Sequence, residues 1–146
     1  CGMPAMDEQL RLELRSEPRL LACVRVLVRA WLEASGLAGD RVEDLVLAVD
    51  EACSNAIRHS YGGRCDGVVR LAMKASAGLL EGRLFDDGAP SPSAGLEARR
   101  LEAPDPDQLR PGGLGVQLMH RAFDEVLFCP GREAGNCVIL RARIED

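Results

Sequence analysis

Lysine is almost missing from this 146-residue chain: Lys74 is the only one, and every other basic residue is an arginine. A Walker P-loop closes on Gly-Lys-Ser/Thr, whereas Lys74 sits in Met73-Lys74-Ala75, so that mode of holding phosphate is excluded. Aromatic residues are few, three Phe with one Trp and one Tyr, and 23 acidic residues outnumber 18 basic ones for a net charge of −5. A nucleic-acid binder needs a basic surplus or a stacking surface, and neither is present, so no nucleic-acid partner is expected. No apolar run approaches the ~20 residues that span a bilayer, and no membrane partner is expected either. The six cysteines are irregularly spaced, form no C-x-x-C pair, and lie away from ligand spacing with His59 or His120. They read as reduced thiols of a cytoplasmic protein, not as a disulfide framework or a zinc site. The first residues show neither a basic region nor an apolar core of the signal-peptide kind. Residues 1–8 read as a disordered N-terminus or cloning remnant, and 9–146 as a single domain.

What is present is a core-forming apolar fraction of 47% with clear periodicity. Residues 9–15 alternate apolar and polar, the pattern of a half-buried strand. Ser16 and Pro18 then read as the cap and first turn of a helix over 19–35, with Leu20, Cys23, Val24, Leu27, Val28 and Trp31 as its stripe and Gly36 as its stop. A second helix is predicted over 40–60 on the stripe Val42, Leu45, Val46, Val49, Ala52, Cys53 and Ala56. Strands follow over 67–74 and 79–85. A stretch over 89–113 has no durable periodicity, which inside a compact domain points to a lid or binding loop. A helix over 114–123 and an antiparallel pair, 125–128 with 136–144, complete the order. The expected fold is α+β, a two-layer sandwich of a mixed or antiparallel sheet with helices on one face.

Three short patterns bear on chemistry. At about 100° per residue, Glu51, Asn55 and His59 fall along one edge of the second helix, beside its core stripe. A carboxylate next to a neutral amide suits a general base beside a hard-cation ligand, although an ordinary solvated helix edge has the same spacing. Asp86-Asp87-Gly88 ends a strand on two carboxylates and a glycine, a sequence also found in plain turns. Gly112-Gly113-Leu114-Gly115-Val116 opens a helix on glycines, where unpaired backbone N–H groups and the helix dipole favour an anion.

Taken in order, E-x-x-x-N on a helix, D-x-G after a strand, a long loop and G-x-G at a helix start resemble the boxes of GHKL-type (histidine-kinase-like) ATPases. Within that superfamily the chain is most similar to the bacterial anti-sigma-factor serine/threonine kinases. The likeness rests on residues 45–61, on Asp86-Asp87-Gly88, on 112–116 and on Arg121-Ala122-Phe123-Asp124-Glu125-Val126.

The resemblance implies ATP and Mg²⁺ as cofactors. It implies that Asn55 is the metal ligand, with Glu51 as the catalytic base that activates a serine hydroxyl. Asp86 matches the carboxylate that accepts from the adenine amino group, and Gly88 matches the glycine that lets backbone approach the base. Gly113, Leu114, Gly115 and Val116 match the helix opening that cradles phosphates, and 89–111 matches the lid. The pattern departs from the family where Pro90 replaces the second glycine of D-x-G-x-G, which stiffens that turn. Without a phosphate lysine, Arg110 is the favoured γ-phosphate partner, while Arg99 and Arg100 read as solvated charges. His59 reads as a buttress of the helix edge, and Lys74 as dispensable. Arg25 aligns with a family position that contacts protein partners. The implied function is to sequester a sigma factor and to phosphorylate a STAS-domain anti-anti-sigma antagonist, with a homodimer as a further implied assembly. The alternative is an ATP-binding regulatory module without phosphotransfer.

Overall fold

The computed structural model describes residues 6–89, 113–130 and 135–144. Its strands are β1 (Leu10–Arg15), β2 (Val68–Ser76), β3 (Leu79–Asp86), β4 (Glu125–Pro130) and β5 (Asn136–Arg143). They form one five-stranded sheet in the order β1-β2-β3-β5-β4, antiparallel at every pairing. The register is set by alternation. Leu10, Leu12 and Leu14 face the same side as Val69, Leu71 and Met73, and that row continues through Leu80, Leu84, Val138 and Leu140 to Val126. A slip of one residue would turn this whole apolar row to water, so the pairing is strongly specified.

The helices α1 (Leu21–Ala34), α2 (Gly39–Asn55) and α3 (Gly113–Ala122) cover that face and share one apolar core with it. The result is the expected α+β sandwich with its helices on one side. Helix α2 runs through the middle of the layer, packed against both α1 and α3. It buries Val42, Leu45, Val46, Ala48, Val49, Ala52 and Cys53, and each Leu or Val of this kind contributes about 1.5–3 kcal/mol by leaving water. Among the described residues no helix is long and apolar enough to cross a membrane.

Several local expectations are corrected. Helix α1 buries only the i, i+4, i+8 line Val24, Val28 and Leu32, leaving Cys23 and Leu27 exposed. Its apolar stripe is wider than the surface it packs on. Ser16 does not cap a helix. It is fully buried, donating to the Arg64 carbonyl and accepting from the Gly67 amide at 3.0 Å, so it ties the end of β1 to the entry of β2. Pro18–Leu20 forms a separate 3-10 turn before α1. The second helix is α-helical only to Asn55, and Ala56–Ser60 continues as a single π turn. Such wide turns cluster at functional sites.

Candidate functional site

Glu51 and Asn55 lie one turn apart on the last stretch of α2, half-buried beside the core stripe. Arg58, in the π turn, follows Asn55 by three residues and Glu51 by seven, on the same side of the helix. Its Nη2 donates to Glu51 Oε1 at 2.9 Å and also to Asn55 Oδ1. One guanidinium therefore engages both polar groups that the spacing singled out. Arg58 is 48% exposed, so solvent screens this pair and it is worth no more than about 1 kcal/mol. His59, the third residue of the predicted ridge, is exposed. Arg58, three residues after Asn55 and seven after Glu51, and not His59, is the residue that reaches both groups.

The π turn ends at Ser60, which reaches the sheet. Ser60 Oγ donates to Asp86 Oδ2 at 2.9 Å, while Asn136 Nδ2 and the Gly88 amide each donate to Asp86 Oδ1 at 3.0 Å. Asp86 is 6% exposed, and a carboxylate so buried needs donors of this kind. A carboxylate has about four acceptor sites. Three donors among the described residues leave room for one more, which is what a ligand amino group would supply. Asn136 knits the network further by donating to Ser60 Oγ at 3.1 Å and to the Ala89 carbonyl at 2.9 Å. Its neighbour Gly135 donates its amide to the Gly88 carbonyl at 2.8 Å.

Gly88 is required by the protein itself. A Cβ there would lie 2.3 Å from the Ser60 carbonyl oxygen and 2.6 Å from its carbon, both backbone atoms. The Ala89 amide donates to that same carbonyl at 2.9 Å. Asp87, next to the buried carboxylate, is exposed and pairs with Arg70 at 2.8 Å, which raises the Arg70 pKa. The two adjacent aspartates thus have opposite environments. Tyr61 fixes the other wall. Its hydroxyl donates to the Val68 carbonyl at 2.6 Å and accepts from the Asp87 amide at 2.7 Å. Its ring covers Gly67 so closely that a Cβ there would lie 2.4 Å from Cε1.

The structure therefore joins Glu51 and Asn55 to the Asp86–Gly88 strand end through one continuous segment, residues 51–60. Helix α3 begins at Gly113, so Gly113, Leu114, Gly115 and Val116 form its first turn, and α3 packs on α2. Pro90, Arg99, Arg100, Arg110 and all of the predicted lid except Ala89 lie outside the described residues. Arg25 sits on α1 and donates to Asp50 Oδ1 at 3.1 Å, one residue before Glu51. Lys74 lies on β2, and the register pairs it with Glu81.

The motif reading missed Arg58, Ser60 and Asn136. A signal for Asn136 was available: in the alternation of β5 it shares the face of Val138, Leu140 and Ala142. A polar residue at a core-facing position must have a partner.

Comparisons with known proteins agree with the fold. The family described as "Histidine kinase-like ATPase domain" matches residues 14–142. The chain is 32% identical over 128 residues to Serine-protein kinase RsbW of Bacillus velezensis, covering 85% of this chain and 79% of that protein. It is 30% identical over 123 residues to Serine-protein kinase RsbW of Bacillus subtilis (strain 168), covering 82% and 76%. Serine-protein kinase RsbW of Listeria innocua is 29% identical over 130 residues, with 85% and 81% covered.

Proposed function

We propose that this chain, which belongs to the histidine kinase-like ATPase domain family, is an ATP-binding protein serine/threonine kinase of the anti-sigma-factor type. It would sequester a sigma factor and phosphorylate a serine of a STAS-domain anti-anti-sigma protein, in the cytoplasm. The observation that carries this reading is the buried Asp86, held by Ser60, Asn136 and Gly88 with one acceptor position left among the described residues, and joined through Ser60 to the segment of Glu51 and Asn55. The serine-protein kinase names of the relatives support the choice of hydroxyl acceptor.

In this reading Asp86 accepts from the adenine amino group and thereby selects the base. The backbone of Gly113, Leu114, Gly115 and Val116, at the start of α3, faces the phosphates with the positive end of the helix dipole. Arg110 is assigned to the γ-phosphate. The donor chemistry fits Mg²⁺: it takes few protein oxygens, keeps water and phosphate ligands, and Asn55 Oδ1 supplies one neutral oxygen beside the Glu51 carboxylate. The metal would neutralise charge developing on the transferred phosphoryl group. Glu51 takes the proton of the incoming serine hydroxyl as its oxygen attacks the γ-phosphorus, and ADP leaves with the bond that breaks. Arg58 must release the Asn55 oxygen for this geometry to assemble.

That last requirement favours a second reading, an ATP-binding regulatory module without phosphotransfer, because the guanidinium engages the base and the amide together. Incubating the protein with labelled ATP, Mg²⁺ and a cognate STAS-domain protein separates the two. Phosphoserine on the partner, abolished by Glu51→Ala while ATP still binds, supports the kinase. Nucleotide binding with no transferred label refutes it in favour of the module.

A further inference from the structure

We infer that Cys129 and Cys137 form a reversible cross-strand disulfide, an oxidation site on the sheet face that the helices leave uncovered. The two residues are direct partners in the β4–β5 register, and both are thiols. Residues directly opposite in an antiparallel pair have Cα atoms about 4.5–5.5 Å apart. A disulfide requires about 4.4–6.8 Å. The bond therefore needs rotation of two side chains and only a small closing shift of the two strands, not a new pairing. Because side chains alternate along a strand, both sulfurs lie on the face opposite Phe128 and Val138, which pack on the core.

The two thiols differ in access. Cys129 is half-buried, whereas Cys137 is 6% exposed. Burial, followed by the neighbouring Cys129, pushes the Cys137 thiol up to about 12. Cys129 is therefore the sulfur that meets an oxidant such as glutathione disulfide. Its thiolate attacks one sulfur of that disulfide, expelling one glutathione thiolate and leaving a mixed disulfide. Cys137 then loses its proton and attacks Cys129 sulfur, expelling the second glutathione. Two protein thiols are oxidised and one small disulfide is reduced to two thiols. The second step waits on the small ionised fraction of Cys137, so closure takes minutes to hours at neutral pH.

The site lies at the end of the sheet that carries Asp86. Asn136 precedes Cys137 and donates to Asp86, and Gly135 is bonded to Gly88. Closing the bond draws Cβ atoms to about 3.8 Å, nearer than the usual 4.5–5.5 Å of a cross-strand pair, which displaces the strand that presents Asn136. Weaker nucleotide binding in the oxidised protein follows, a consequence that rests on the nucleotide reading above.

The test uses the full chain, reduced and then incubated with excess glutathione disulfide, quenched with alkylating agent in denaturant and digested with trypsin. Arg132 lies between the two cysteines, so the bond appears as two joined peptides lacking two hydrogen atoms and separable by dithiothreitol. Cys129→Ser and Cys137→Ser each remove the joined species, and Cys23→Ser does not. A stable glutathione adduct on Cys129 with alkylated Cys137, or Cys129 joined to any other cysteine or to a second copy, overturns the assignment. A severalfold loss of ADP affinity on oxidation, reversed by dithiothreitol, supports the coupling to Asp86. Unchanged affinity in the joined protein refutes that coupling and leaves the bond established. If ADP binds neither form, the nucleotide reading fails and the bond is still judged by the peptides.

Discussion

Replacing Asp86 in two ways separates its structural work from its proposed recognition of adenine. Asp86→Ala removes the acceptor of three donors. Ser60 and Asn136 keep each other at 3.1 Å, and Asn136 keeps the Ala89 carbonyl at 2.9 Å. The Gly88 amide is then the donor left buried without its bond. An orphaned buried donor costs about 1–3 kcal/mol, and relief of the buried charge offsets part of the other two losses. At about 3 °C per kcal/mol for a chain of this size, the melting temperature should fall by about 3–9 °C. Asp86→Asn keeps an oxygen toward Gly88 and Asn136, and the Ser60 hydroxyl turns to accept from the new amide, so stability should change by less than about 1 kcal/mol. Its affinity for ATP should nevertheless fall at least about tenfold, because a bond to a charged acceptor is worth about 1.5–3 kcal/mol. Thermal denaturation and titration calorimetry read the two effects. An Asp86→Asn protein that binds ATP within twofold of the parent refutes the role in base recognition. An Asp86→Ala protein with an unchanged melting temperature refutes the hydrogen-bond reasoning.

Four further outcomes are expected. Glu51→Gln should retain ATP affinity but lower phosphotransfer by about a hundredfold or more, as loss of a general base does; transfer at the parental rate in a single-turnover assay rules the assignment out. Arg58→Ala should tighten Mg²⁺·ATP binding about twofold to fivefold, since a screened pair worth up to about 1 kcal/mol no longer has to open. Weaker binding would instead mark Arg58 as a phosphate contact. Gly67→Ala should cost about 1–3 kcal/mol in urea denaturation, because its Cβ would meet the Tyr61 ring at 2.4 Å and the ring is pinned by its hydroxyl; an unaltered midpoint would show that the ring yields freely. Burial, and secondarily Asp50, pushes the Cys53 thiol up to about 12. A raised acid contributes stability below its unfolded value near 9 that is lost toward 12, so the urea midpoint should drop over that interval, less steeply in Cys53→Ala.

Where a signal was local and repeated, it was legible in the sequence. The five strands, their alternation and the apolar stripe of α2 follow from periods of two and 3.6 residues, and the structure differs from them mainly at element ends. The α1 stripe was overread, because period alone does not say how much of an apolar arc the sheet can cover. Cys23 and Leu27 are therefore exposed. In the site, the motif reading selected Glu51, Asn55 and Asp86 but not the residues that hold them. Ser60 and Asn136 are 26 and 50 positions from Asp86 along the chain. Only the return of β5 beside β3 brings Asn136 there. Ser16 misled for a related reason: the partners of its buried hydroxyl, the Arg64 carbonyl and the Gly67 amide, are distant in sequence, whereas the cap it resembled is local.

Arg58 was missed although the α-helical wheel favours it: at 100° per residue it falls within about 20° of Glu51, seven residues on, nearer than His59 does. Extending α2 at 100° per residue assumes uniform geometry through residue 60, but the last five residues are wound more widely. In the E-x-x-x-N pattern, position 58 is three residues past the asparagine and carries no motif. The chain has one lysine, on β2 and paired in register with Glu81, so a cation near Glu51 and Asn55 has to be an arginine. Arg58 is the one the described structure brings to them. The same wide turn ends on Ser60, which bonds Asp86. A straight α-helix would still keep Arg58 at three and seven residues from Asn55 and Glu51, so rewinding the turn bears on the Ser60 contact and not on the arginine. Glu51, Asn55, Arg58 and, through Ser60, the buried Asp86 are linked by the one segment 51–60. A substitution that restores α-helical winding at 56–60 should therefore turn Ser60 from Asp86 while leaving Arg58 within reach of Glu51 and Asn55.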